Sequence, residues 1–254
     1  MSVLDKFSLS GRKALVTGGN RGLGLAFSRG LAEAGAAVVI IRRDAERNAQ
    51  AVAALRGEGH QAEAIDADIV TADASELVRR ARDLIGGLDI LVNNAGAAIP
   101  RPAIEVPEQE WDQIIGLNLT THSGGCPRRP PVMREAGGGN IINIGSMSGF
   151  IVNRPQCHAA YNSSKAAVHH LTKSLAAEWA DSNIRVNAVA PGYVKTEIAD
   201  VDNPKFRCHW IEDVPMRRYA VPEEITPTVV YLASDTASFV TGSVVVVDGG
   251  YTVY

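Results

Sequence analysis

Short β-rich runs alternate along this chain with longer stretches in which apolar residues return every three or four positions. Lys13–Thr17, Ala37–Ile41, Ala62–Asp66, Ile90–Asn93, Asn140–Ile144, Arg185–Ala188 and Ser243–Val247 read as strands. Leu23, Ala26, Phe27, Leu31 and Ala34 repeat with a helical period, as do the stretches Ala45–Arg56 and Ala74–Ile85. In Ala160–Ala180, residues Ala167, Leu171, Leu175 and Trp179 form one apolar stripe that can face a sheet. Strands alternating with helices predict an α/β fold with a parallel sheet and helices on both faces. No linker or internal repeat interrupts the pattern, so the expectation is a single domain spanning 1–254.

Composition narrows the function classes. A chain of 254 residues is long enough to bury a core on both faces of a sheet. A formal net charge of −3 and the lack of a long basic run argue against nucleic acid as a partner. The start, Met1-Ser2-Val3-Leu4-Asp5-Lys6-Phe7, has no signal-peptide core, and no stretch reaches the roughly 18 apolar residues of a membrane span. Cys126, Cys157 and Cys208 are odd in number and irregular in spacing, which points to free thiols in a reducing cytoplasm. The histidines show no ligand spacing, and the adjacent His169 and His170 point to different faces of their helix, so no metal site is expected.

Two segments carry chemistry. Tyr161-Asn162-Ser163-Ser164-Lys165 sets a phenol and an ammonium four residues apart, one turn apart on the same helix face. A phenol with a pKa of about 10 is a poor acid or base at neutral pH. A cation beside it favours the phenolate and is expected to draw that pKa down toward working pH. Near the start, Thr17-Gly18-Gly19-Asn20-Arg21-Gly22-Leu23-Gly24 follows a strand-like run and opens a helical one. That context lets backbone N–H groups at a helix N-terminus hold a pyrophosphate, although the spacing Gly18-x3-Gly22-x-Gly24 is not the commonest dinucleotide fingerprint.

With Asn93-Asn94-Ala95-Gly96 after the strand-like Leu88–Val92, Asn118, Ser146 and Pro191-Gly192 with Thr196 beyond, these segments resemble the short-chain dehydrogenase/reductase family over almost the whole chain. The resemblance implies a Rossmann-type doubly wound parallel sheet of about seven strands. It also implies hydride transfer between a nicotinamide coenzyme and a carbinol or carbonyl carbon. Asn118, Ser146, Tyr161 and Lys165 match the family's catalytic tetrad. Tyr161 would move the hydroxyl proton, Lys165 would lower its pKa and hold the nicotinamide ribose, and Ser146 would bond the substrate oxygen. Asn118 would bend its helix and anchor a water leading from Lys165 to solvent. Coenzyme contacts are expected from Gly18, Asn20, Arg21, Gly22, Leu23, Gly24, Arg42, Arg43, Asp68, Ile69, Asn94, Ala95, Gly96, Tyr161, Lys165, Pro191, Gly192, Val194 and Thr196.

The end of the second strand bears on which coenzyme is used. An acid there normally accepts bonds from the adenosine ribose and selects NAD. Arg42 occupies that position, and a guanidinium suits a 2′-phosphate instead. The expectation is NADP(H) over NAD(H), with Arg21 as a second cation and Asp44 as the alternative acid one residue along.

Substrate class follows from a finer likeness. Gly145–Gln156 and the ending Asp248–Tyr254 resemble the family's sugar-alcohol and ketose (polyol) dehydrogenase branch, with Ser146, Ser148, Asn153, His158 and Tyr161 as substrate contacts. A polyol, ketose or sugar acid is therefore expected, under a lid at about 193–218. Phe206, Trp210 and Met216 keep that lid from being strongly polar. A 3-oxoacyl-thioester or other bulky-ketone reductase, and a silent coenzyme-binding sensor or scaffold, remain alternatives. The resemblance also implies a homotetramer. One segment departs from the family: Ser123-Gly124-Gly125-Cys126-Pro127-Arg128-Arg129-Pro130-Pro131-Val132-Met133 stands where a long amphipathic helix is usual. Either a compensated frame slip in the gene or a genuine break would produce it, and the backbone is expected to stay helical over most of Thr120–Arg134.

Overall fold

In the computed structural model, the described residues are 2–121, 131–197, 199 and 201–254. Elements run β1 (Lys13–Thr17), α1 (Gly22–Glu33), β2 (Ala37–Arg42), α2 (Ala45–Gly57), β3 (Ala62–Asp66), α3 (Ala74–Ile85) and β4 (Ile90–Asn93). They continue with α4 (Glu108–Ile115), α5 (Pro131–Glu135), β5 (Gly139–Ile144), α6 (Ala159–Trp179), β6 (Ile184–Pro191), α7 (Pro222–Ala233) and β7 (Val244–Val247). The seven strands form one parallel sheet in the order β3-β2-β1-β4-β5-β6-β7. This is the doubly wound architecture the alternation predicts, with its order reversing between β1 and β4. Ligands of such sheets bind in the crevice at that reversal, beyond the carboxyl ends of the strands.

Both faces are sealed. On one, Phe27 and Leu31 of α1, Leu55 of α2 and Ile225, Val229 and Leu232 of α7 pack on Val16, Val38, Ile40 and Val92. On the other, Leu77 and Ala81 of α3 and Leu175, Ala176 and Trp179 of α6 pack on Leu15, Val39, Ile41, Leu91 and Val186. Strands buried on both sides read as near-continuous apolar runs, which is why their limits were legible. The exception is β6, which runs on to Pro191 rather than stopping at Ala188. Its last four residues pair with all of β7, and the ladder overrides the poor strand preference of Ala and Pro.

Local chemistry sets the helix starts. Asp44 caps α2 by accepting from the Arg47 amide, and Asp73 caps α3 by accepting from Ser75 and Glu76. In the departing segment, Gly116–Thr120 is a wide helical turn that continues α4, and Pro131–Glu135 is helical. The expectation of helix across Thr120–Arg134 otherwise falls on residues outside the described set.

Candidate active site

A cavity of about 480 Å³ opens at the β1/β4 crevice. Its floor is the turn after β1, where Gly18 and Gly22 take positive φ of 67° and 50°. A Cβ on Gly24 would collide with the Gly18 carbonyl oxygen, so only glycine lets α1 start this close to the strand. Asn94 ties the turn to β4: its Nδ2 donates to the Thr17 and Gly18 carbonyls at 3.0 and 3.3 Å. The Asn94 and Ala95 amides in turn donate to the Thr17 hydroxyl.

Ser146, Tyr161 and Lys165 converge on the cavity wall beside Gly96. Lys165, 3% exposed, donates from Nζ to the Ile144 carbonyl at 2.7 Å and lies 5.7 Å from the centre of the Tyr161 ring. A Cβ on Gly96 would stand 3.7 Å from Nζ. Ser146 lies two residues beyond β5; its hydroxyl accepts from the Ser148 amide at 3.1 Å and donates to the Ser148 hydroxyl at 3.0 Å. Asn118 sits on the wide turn, Gly116–Thr120, that continues α4. Its side chain is committed to the protein: Oδ1 accepts from Ala97, and Nδ2 donates to the Ala97 carbonyl and the Ser164 hydroxyl. With both amide hydrogens used, its direct effect is to hold the Ala97 backbone against α6. Asn118 is not among the cavity-lining residues.

One electrostatic expectation is corrected. The Tyr161 phenol is pushed up, not down, because burial penalises the phenolate more than a hydrogen bond from Ser146 favours it. Lys165 is turned toward Ile144, and its own burial pushes its amine down to about 8. Burial also pulls the half-buried His158 imidazole below its usual value.

At the outer end of the crevice, Arg21 and Arg42 line the cavity. Burial, then Arg21 and Arg43, pull Arg42 below the usual arginine value against the opposing charge of Asp44, so Arg42 sits in a cationic cluster. Asp44 is engaged as the α2 cap and with Arg47. Four expected coenzyme contacts stand off the wall. Asn20 is buried and donates to Asn48, while Arg43 is exposed and paired with Asp68 at 3.3 Å. Ile69 packs against the second core cluster. Gly18, Arg21, Gly22, Leu23, Gly24, Arg42, Asn94, Ala95, Gly96, Tyr161, Lys165, Pro191, Gly192, Val194 and Thr196 all line the cavity.

The inner end holds Ser146, Ser148, Asn153 and His158, together with Tyr193, Phe206 and Trp210, the last two from the expected lid. Tyr193 stacks on Trp210 with ring centres 4.7 Å apart, Phe206 stacks on Trp210 at 4.5 Å, and Tyr251 meets Tyr193 edge-on at 5.4 Å. Four buried polar atoms here, Asn153 Oδ1, Gln156 Oε1, His158 Nδ1 and Trp210 Nε1, have no hydrogen-bond partner among the described residues. Away from this wall, Cys208, His209 and Asp213 bring ligand atoms within 4.8 Å of one another. Asp213 is already engaged by Arg154 at 3.2 Å and His209 at 3.1 Å.

A glycine turn at a sheet reversal, with Ser, Tyr and Lys converging beyond it, defines a nicotinamide-dependent oxidoreductase site. The family model described as "Enoyl-(Acyl carrier protein) reductase" matches residues 18–252. The chain is 45% identical over 261 residues to galactitol 2-dehydrogenase of Rhizobium johnstonii, covering 99% of both chains. It is 41% identical to galactitol 2-dehydrogenase (L-tagatose-forming) of Cereibacter sphaeroides, covering 98% of each. A gluconate 5-dehydrogenase of Burkholderia cenocepacia, solved with NADP and tartrate, superposes with a TM-score of 0.94 at 36% identity, covering 100% of both chains. The chain belongs to the short-chain dehydrogenase/reductase family and is an oxidoreductase acting on CH–OH donors.

Proposed function

We propose that this enzyme transfers a hydride between NADP(H) and the carbinol or carbonyl carbon of a polyol, ketose or sugar acid. The observation that carries the reading is the set of polar side chains, Ser146, Ser148, Asn153, Gln156 and His158, that lines the Tyr161 end of the cavity. Hydroxyl, amide and imidazole groups give and accept hydrogen bonds, which suits a ligand with several hydroxyls. The galactitol and gluconate enzymes it resembles act on such molecules, as their names state. The stacked Phe206–Trp210–Tyr193 wall also suits a bulky ketone, so a panel of ketoses, polyols and 3-oxoacyl thioesters with NADPH is the test. Turnover confined to the thioesters would refute the sugar reading.

The site fits the coenzyme. The backbone of the glycine turn would hold its pyrophosphate, and the arginine cluster would hold a 2′-phosphate. When bound, it supplies the hydride. Tyr161 gives its phenolic proton to the carbonyl oxygen in reduction and takes one in oxidation. Ser146 bonds the same oxygen as charge develops, Lys165 holds the ribose with its ammonium, and Asn118 fixes the Ala97 backbone. The 193–218 segment, carrying Phe206 and Trp210, serves as the lid.

Coenzyme choice rests on Arg42. Arg42→Asp is expected to lower the ratio of NADPH to NADH efficiency at least about tenfold, since a charge-assisted bond contributes roughly 1.5–3 kcal/mol. An unchanged ratio in steady-state kinetics would assign Arg42 to solvent.

The raised Tyr161 phenol fixes the sign of the pH dependence. The acid form serves reduction, so ketone reduction should hold level through neutral pH and fall only on the alkaline side. Alcohol oxidation needs the phenolate and should climb with pH. Profiles of kcat in both directions test this; reduction that rises with pH would contradict it.

The enzyme is further proposed to be a homotetramer. β7 is an edge strand of four valines in which Val246 is exposed, and Phe239 of the preceding loop is exposed as well; such surfaces usually close by symmetry. Light scattering at micromolar concentration should give four times 27.0 kDa; a monomer mass would contradict it. Exposed free thiols at Cys157 and Cys208 accord with a cytoplasmic location. No helix among the described residues is long and apolar enough to cross a membrane.

A further inference from the structure

His169 is a buried ionisable group that the chemistry above leaves unused. It lies one turn beyond Lys165 on α6 and is 5% exposed. The β5–β6 ladder ends at Gly145, whose amide donates to Val189 at 2.8 Å. The next amide, that of Ser146, has left the sheet and donates to His169 Nε2 at 3.5 Å. An orphaned buried N–H needs such an acceptor.

The imidazole also fills space that two glycines vacate. A Cβ on Gly145 would overlap Nε2, and one on Gly149 would stand 2.5 Å from Cε1 and 2.7 Å from Nδ1. The Phe150 ring covers it, with centres 4.4 Å apart. Burial, with Lys165 and Lys173 nearby, pushes the imidazole down to about 4, so it is neutral at working pH. A neutral ring accepts at one nitrogen only, and acceptance at Nε2 puts the proton on Nδ1, which is buried with no hydrogen-bond partner among the described residues.

We propose that His169 is a positioning residue: as the Nδ1–H tautomer, wedged between Gly145 and Gly149, it holds the Ser146 amide and thereby sets the Ser146 hydroxyl against the substrate oxygen. This rests on the role given to Ser146 in the proposed function. His169 touches no reacting atom. Its effect reaches the reaction through the backbone of one residue.

Nitrogen-15 NMR of the labelled protein reads the tautomer without any substrate. A proton on Nδ1 and a bare Nε2 are expected; a proton on Nε2 overturns the proposal, because that nitrogen could not then accept from Ser146. Kinetics supply the second test. His169→Met keeps the bulk but removes the good acceptor, and should lower kcat about tenfold, the scale of a lost hydrogen bond, with KM and NADPH affinity within about twofold. His169→Gln, whose amide oxygen can accept, should recover kcat to within about threefold of wild type. Methionine and glutamine variants that lose activity equally, or a methionine variant with wild-type kcat, would overturn the role. If His169→Met does not fold, the tautomer and the glutamine variant decide. A wild-type enzyme inactive on every polyol and ketose would sink the proposed function instead, and the NMR result would still stand or fall alone.

Discussion

Tyr161→Phe should leave a folded protein that still binds coenzyme and turns over at least about a hundredfold more slowly, the scale of general acid–base catalysis. The substitution is chemically narrow. Phenylalanine keeps the ring that sits 5.8 Å from His158 and 5.7 Å from the Lys165 ammonium. Lys165 keeps its bond to Ile144 and Ser146 its bonds to Ser148, so what is lost is one hydroxyl and its proton. Coenzyme affinity by fluorescence, beside kcat, separates the two effects. Ten per cent or more of wild-type turnover in the folded variant would remove Tyr161 from the proton-transfer role.

Lys165→Met carries the second large effect, and it divides chemistry from stability. A methionine fills much of the lysine's volume but supplies neither charge nor donor. Turnover should therefore fall by about a hundredfold or more, with weaker coenzyme binding. Stability moves differently. The folded amine titrates near 8 and the unfolded one near 10.5, so the unfolded chain binds more protons between those values. Wild-type stability should thus gain a contribution as pH rises from about 8 toward 10.5, while the cost of burying the charge is fully present below that window. The methionine variant lacks this rise. Urea melts at pH 7.5 and 10 decide it: a variant whose pH dependence matches wild type would show that Lys165 is not the buried titrating group.

The sheet was legible because its strands are buried on both faces, so apolar runs such as Val38–Ile41 mark them without help from tertiary contacts. Where the ladder decides, the reading fell short, as at Val189–Pro191 of β6. Tyr161 and Lys165 were legible because four residues on a helix fix their relation whatever surrounds them. The direction of the Tyr161 shift was not, since it depends on how much water the fold removes. The bond from Asn20 to Asn48 was not legible because Asn48 comes from α2, 28 residues along the chain. Phe206 and Trp210 were legible as apolar lid residues, but the wall they form with Tyr193 and Tyr251 was not, since these rings meet only after β6 pairs with β7. His169 had no visible role until β5 laid Gly145 and Ser146 across it.

Deuterium transfer tests the central claim most directly. NADPH carrying deuterium at nicotinamide C4, on the face the enzyme uses, is incubated with a panel of ketoses, and the product is examined by mass and NMR. The account predicts stoichiometric NADPH oxidation with the deuterium on the new carbinol carbon, and the same reaction run backward on the matching polyol. No NADPH oxidation with any ketose or sugar-acid ketone, or product without the label, would contradict it.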